Sequence, residues 1–178
     1  MNIILKKELK GRILDIGGGG EGVIGQIYGK QAIAIDNNKE ELDETTGECE
    51  KMLMDAANLQ FEAASFDHVT SFFTLMYMEK DTQKQAVSEA VRVLKPGGQF
   101  HIWDTNIESA YPEPFLAELY IDAAGKHIQT TYGIGKLDSQ DMDFFITLCE
   151  AHGMTLMEER RKSDFFYLRF KKEVPKES

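Results

Sequence analysis

Apolar and polar positions follow two rhythms along the first hundred residues. "RILDI" (12–16) is too short an apolar run for a helix and reads as a strand; a glycine run follows it, and Gly22 to Tyr28 opens a helix. "AIAI" (32–35) reads as a second strand closing at Asp36, the acidic stretch "NNKEELDETTG" as a short helix stopping at Gly47, and Lys51 to Met54 as a third strand. "FDHVTSFFTLMYM" (66–78) opens as an aromatic, β-branched strand that leaves the sheet near Thr74. Val87, Ala90, Val91 and Leu94 recur at helical spacing, giving a helix ended by "KPGG", and "QFHIWD" (99–104) supplies a fifth strand. This alternation predicts an α/β fold with a mostly parallel sheet covered on both faces.

Beyond residue 105 the rhythm changes. "YPEP" (111–114) interrupts regular structure, and "FLAELYIDAAGKHIQTTYGIG" reads as two strands around a turn at Ala123 to Lys126, a hairpin inserted after the fifth strand and overhanging the sheet's carboxyl edge. Met142, Phe145, Ile146 and Cys149 repeat the helical stripe. "MTLMEERR" and "DFFYLRFKK" close the chain as strands, and with only Lys162 and Ser163 between them they must run antiparallel.

Composition narrows the partners. The 178 residues suit one core, and 30 acids against 20 bases give a formal charge of −10 that disfavours nucleic acid. Lys6, Lys7 and Lys10 with Arg160, Arg161 and Lys162 are the residues from which a local basic patch could form. Cys49 and Cys149 lie far apart without a CxxC spacing, which fits reduced thiols and a cytoplasmic location. No apolar run approaches the ~20 residues of a membrane span, the amino terminus lacks the pattern of a signal peptide, and no divalent-metal cluster is visible.

The chemistry concentrates in "ILDIGGGGEGVIGQIYG" (13–29). Gly17, Gly19 and Gly22 satisfy GxGxxG, and Asp36 follows at the distance expected of a ribose-binding acid, so a dinucleotide loop is formally present. Charge separates two readings of it. A pyrophosphate would meet Asp15 and Glu21 with no Lys or Arg in the stretch to offset them, whereas S-adenosylmethionine is net positive and carries no phosphate.

The residues here resemble the class I S-adenosylmethionine-dependent methyltransferases. "ILDIGGGGEG" looks like their first motif, with Asp15, Gly17 and Gly19 in the matching places and Gly18 between them part of the implied cofactor-binding loop, although the third glycine of that pattern falls on Glu21. The resemblance implies that Asp36, with Asn37 beside it, takes the ribose hydroxyls, and that Asp55 and Ala56 of "MDAANLQF" address the adenine. It also implies backbone contacts from Phe73 and Thr74 to the methionine part of the cofactor, and "EAVRVLKPGGQFHI" (89–102) matches the family's helix, turn and fifth strand. The implied fold is a Rossmann-like seven-stranded sheet whose last strand is antiparallel. Residues 1–178 then form one domain, with 12–104 the cofactor-binding half, 105–136 a substrate-side hairpin or lid, and 137–173 the closing helix and strand pair.

Methyl transfer by in-line displacement needs a positioned nucleophile and no catalytic triad. The family's nucleic-acid enzymes carry an Asn or Asp, Pro-Pro and an aromatic at the fourth strand's end; "SFFTLMYM" does not, and resembles small-molecule members such as those of quinone biosynthesis. Phe72, Met76, Tyr77, Trp103, Tyr120 and Tyr132 are the candidate substrate pocket, with Trp103 and Asp104 facing one crevice, and Tyr77, His127 and Asp104 the candidate general bases. The partner is a small-molecule methyl acceptor, with a homodimer contact through the 115–135 hairpin as a second role for that segment. An NAD(P)-dependent oxidoreductase and a non-catalytic S-adenosylmethionine-binding module are the alternatives.

Overall fold

The computed structural model describes residues 2–108, 114–123, 125–135 and 138–174. After β1 (Asn2–Leu5), the chain runs β2 (Ile13–Ile16), α1 (Val23–Tyr28), β3 (Ala32–Asp36), α2 (Lys39–Glu44), β4 (Glu50–Leu53), β5 (Phe66–Phe72), α3 (Lys80–Val93) and β6 (Leu94–Thr105). It continues with β7 (Phe115–Ala123), β8 (Lys126–Ile134), α4 (Met142–Ala151), β9 (Met154–Lys162) and β10 (Phe165–Lys172).

Seven strands form one sheet in the order β4-β3-β2-β5-β6-β10-β9. Pairing is parallel from β4 to β6, whereas β10 runs antiparallel to both its neighbours. The last strand is therefore the one reversed, as expected, and the short turn before it reverses at Ser163, whose φ is +55°.

Two cores follow from the strand alternation. Leu14, Ile16, Ile33, Ile35, Phe100 and Ile102 point to one face, where α3 and α4 cover them. Ile13, Ala32 and Ala34 point to the other, beneath α1. The alanines let α1 approach closely, and five of its six residues are buried.

Two features differ from the sequence reading. β1, read as a mere lead, pairs in parallel with β7 (Asn2 opposite Tyr120 through Leu5 opposite Ala123), so the hairpin belongs to a separate three-stranded sheet, β1-β7-β8. This sheet buries Ile3, Leu5, Leu119, Ile121 and Ala123 in the same cluster as α1. Second, α3 ends at Val93 and "KPGG" lies inside β6, where the register against β5 shifts and Gly97 takes φ +79°. Of "YPEP" only Pro114 is among the described residues, and Ala124 of the hairpin turn lies outside them. Among the described residues no helix is long and apolar enough to cross a membrane, and no cluster of three His, Cys, Asp or Glu is arranged to hold a metal.

Candidate active site

The glycine loop leaves β2 and turns back on β3, with the Gly17 and Gly18 amides both donating to the Ile35 carbonyl at 2.8 and 3.0 Å. Side chains are excluded here by the protein's own packing. Gly17 has φ +70° and a Cβ there would strike Thr74; one at Gly18 would lie 2.7 Å from the Ala34 Cβ, and one at Gly19 2.7 Å from the Asp36 carboxylate. That carboxylate organises the next turn: it accepts from the Gly19 amide at 3.3 Å and the Asn38 amide at 2.9 Å, and the Asn38 side chain in turn caps α2 through Glu40.

A cleft of about 840 Å³ opens where the loop meets the carboxyl ends of β3, β4 and β5. Glu21, Asp36, Glu41, Glu44 and Asp55 line it, and its described lining holds no Lys, Arg or His. The mutual field is felt at Glu41, whose carboxyl is raised by burial and then by the charges of Glu44, Asp36 and Glu21. Beneath the loop, Asp15 is 2 % exposed and accepts from the Thr70 hydroxyl at 2.7 Å. Burial pushes its carboxyl up to about 7, against the Thr70 hydrogen bond and with a further push from Asp36.

An aromatic wall closes the other end. Phe73 sits in the left-handed region at φ +51°, held by its amide donating to the Trp103 carbonyl at 2.8 Å. Its ring stacks on Tyr132 of β8 (centroids 5.7 Å apart, planes at 15°), and Tyr77 meets Tyr132 edge-on at 6.5 Å. Glu21 ties hairpin to loop, accepting hydrogen bonds from Thr130 and, at 3.3 Å, from the Tyr132 hydroxyl. Burial pushes Tyr77 up to about 12 and raises Tyr132 as well, so both phenols keep their protons at neutral pH.

The structure brings Gly17, Gly19, Asp36, Asn37, Asp55, Ala56, Phe72, Phe73, Thr74, Tyr77 and Tyr132 to this one cleft. It does not bring the others. Asp15 and Gly18 form the floor below it, and Met76 is fully buried with its amide donating to Asp104 at 3.2 Å. Asp104 is fully buried as well, its carboxylate accepting from Gln140 and the Thr105 amide at 2.7 and 2.8 Å. Trp103 lines a different cavity, because adjacent strand residues point to opposite faces. Tyr120 and His127 lie exposed on the hairpin, His127 paired with Asp122.

Glu41, Glu44, Met78, Thr82 and Thr131 line the cleft without having been singled out. The i, i+3 spacing of Glu41 and Glu44 on a helix capped by Asn38 was the available signal. A second omission is Arg92, which donates to the carbonyls of Phe61 at 2.8 Å and Leu59 at 2.9 Å and pairs with Glu89, itself accepting from the Leu59 amide. This fork pins the segment that follows Asp55 and Ala56.

Residues 14–102, half of the chain, match a family model described as a methyltransferase domain. The chain belongs to that family. The protein is a class I S-adenosylmethionine-dependent methyltransferase by its domain, and S-adenosylmethionine is its cofactor. Solved structures agree in fold. An S-adenosylmethionine-dependent methyltransferase from Methanosarcina mazei is 18% identical with a TM-score of 0.67, over 94% of this chain and 95% of that one. A TehB-like methyltransferase from Corynebacterium glutamicum is 20% identical (TM-score 0.64, 92% and 80% covered). The 1,6-didemethyltoxoflavin-N1-methyltransferase of Burkholderia thailandensis, solved with that compound and S-adenosylhomocysteine, is 13% identical (TM-score 0.61, 93% and 72% covered). No curated protein gives a significant match.

Proposed function

We propose that this methyltransferase acts on a small, uncharged or cationic acceptor of partly aromatic character, taken up between the glycine loop and the hairpin. The observation that carries this reading is the lining of the cleft: five carboxylates, no cationic side chain among the described residues, and an aromatic wall of Phe73, Tyr77 and Tyr132. An anionic acceptor would be repelled, while an amine or phenol would find carboxylates and π-faces.

The residues suit the cofactor. Asp36 and Asn37 at the end of β3 would hold the ribose hydroxyls, Asp55 and Ala56 the adenine, and the loop at Gly17 and Gly19 the methionine part. When bound, the cofactor would supply a methyl group already activated on a positive sulfur, with a neutral thioether as the leaving group. The chain's task is alignment and exclusion of water. Tyr77, protonated, orients the acceptor as a hydrogen-bond donor and not as a base, while Tyr132, whose proton goes to Glu21, offers its ring face. His127 lies outside the cleft and Asp104 is buried beneath it, so neither supplies the base; an acceptor proton passes to solvent or to a rim carboxylate.

The likeness of "SFFTLMYM" to quinone-biosynthesis enzymes and the toxoflavin compound of the Burkholderia structure both support an aromatic acceptor. Buried, unpaired Cys49 and Cys149 fit a reducing, cytoplasmic setting. The proposed homodimer contact is the outer face of the three-stranded sheet, where Ile4, Leu116 and Tyr120 are exposed. Sedimentation as a monomer at high concentration would remove that contact.

Labelled-methyl transfer to a panel of aromatic amines, phenols and aromatic carboxylates tests the acceptor. Turnover is expected for the first two; preference for the carboxylates would overturn the reading. Calorimetry with S-adenosylhomocysteine and NADH tests the assignment of the cleft independently, with binding expected for the first alone.

A further inference from the structure

Phe73 is a wall shared by two cavities. On its far side β5, β6, β9 and β10 turn a face toward residues 2–10 and the Ile24, Ile27 and Tyr28 side of α1, enclosing about 850 Å³. The opposite face of the same strands is built from Phe100, Ile102, Phe166, Leu168 and Phe170. The face in this cavity carries His68, His101, Trp103, Tyr167 and Arg169.

Those polar groups are arranged and not incidental. His101 is 2 % exposed and shares hydrogen bonds with His68 at 3.2 Å and with the Tyr167 hydroxyl at 3.0 Å. Trp103 packs against both, its ring 5.9 Å from His101 and 4.7 Å from Tyr167. Arg169 reaches Glu158 at 3.1 Å, and its Nε is buried without a hydrogen-bond partner.

The sign of charge is inverted here. Lys6, Lys10, Arg160, Lys162 and Arg169 line the cavity against Glu8 and Glu158. Four of the six basic residues considered from the sequence as a patch are thus brought together, while Arg161 turns away to Asp143 at 3.6 Å. In a chain of net charge −10, this is a local trap for an anion, and one too confined for a long polyanion that the rest of the surface repels.

We propose that this cavity is a second ligand site, for a small aromatic molecule bearing a phosphate or carboxylate, distinct from the methyl-transfer cleft. Its apolar body would rest against Trp103, Tyr167 and Phe165, and its anionic group against Arg169, Arg160 and Lys162. Arginine forks suit either oxyanion.

Trp103 is the only tryptophan, so its fluorescence reports occupancy directly. Phenyl phosphate and benzoate are titrated into the whole protein, with phenol and inorganic phosphate as half-ligands, with and without saturating S-adenosylhomocysteine. Saturable change is expected with at least one aromatic anion, about tenfold tighter than with either half-ligand and unaltered by S-adenosylhomocysteine. Arg160→Gln with Lys162→Gln, both at exposed positions outside the first cleft, should weaken it about tenfold and leave S-adenosylhomocysteine affinity unchanged. The proposal is overturned by no saturable change, by phenol binding equally well, by competition with S-adenosylhomocysteine, or by a single-stranded RNA saturating the signal where both aromatic anions fail.

Discussion

Tyr132 and Glu21 meet at 3.3 Å although 111 positions separate them in the chain. Their contact fastens the hairpin to the glycine loop at the point where the methyltransferase motif has its third glycine, so the departure from that motif has a structural use. Tyr132→Phe removes the hydrogen bond but keeps the stack on Phe73, and is expected to cost about 1–2 kcal/mol in denaturant unfolding. Tyr132→Ala also removes the wall and should cost about 3–5 kcal/mol while raising the acceptor KM more than that of the cofactor.

Neutralising the rim carboxylates tests cofactor recognition. Asp36→Asn and Asp55→Asn should each weaken S-adenosylhomocysteine binding about tenfold by calorimetry, roughly 1.4 kcal/mol. Glu44→Gln, on the rim beyond the proposed ribose and adenine contacts, should change it far less.

Gly17→Ala probes the loop's path. The new methyl group meets Thr74 and forces an alanine to φ +70°, so a stability loss of about 1–3 kcal/mol or more is expected. The pair Gly17→Ala with Thr74→Gly relieves the clash but not the backbone strain, and thermal melts should show only partial recovery.

Asp15 sets a pH dependence. Its native carboxyl holds a proton up to about 7, against an ordinary value of 3.8, so the native state binds more protons between these values. Its contribution to stability therefore falls as pH rises through that window and levels off above it. Asp15→Asn should flatten this slope. Subtracting the variant's curve isolates it from Asp67, which Lys95 holds below the carboxylate range and which acts oppositely at lower pH. A cation bound above Asp15 favours its ionised form, so cofactor binding near neutrality should release protons, visible as a buffer-dependent calorimetric heat.

Arg92→Lys keeps the charge but not the fork. Losing one of the carbonyl contacts to Phe61 and Leu59 should loosen the adenine segment, raising the cofactor KM several-fold with kcat little changed.

Much of this was legible from local patterns. The alternation of strand and helix from Arg12 to Asp104 marks the sheet, because period and turn chemistry are encoded within a few neighbours. Tertiary pairing is not. Asn2–Leu5 is a four-residue strand whose partner begins beyond residue 114, and nothing local marks it. The acids at 36 and 55 lie at strand ends and fall on the cleft for that reason. Trp103 and Asp104 were read as facing one crevice, but neighbours on a strand diverge. Glu21 bears no local sign of its role, which depends on where the hairpin folds back.

The parallel pairing of β1 with β7 also orders events during synthesis. β1 leaves the ribosome before the other strands and waits unpaired until Phe115–Ala123 has emerged, whereas β2 through β5 already have their neighbours and β6 lacks only β10. The nascent chain thus assembles its donor-binding half early, and Tyr132 arrives over the cleft only after β7 has emerged.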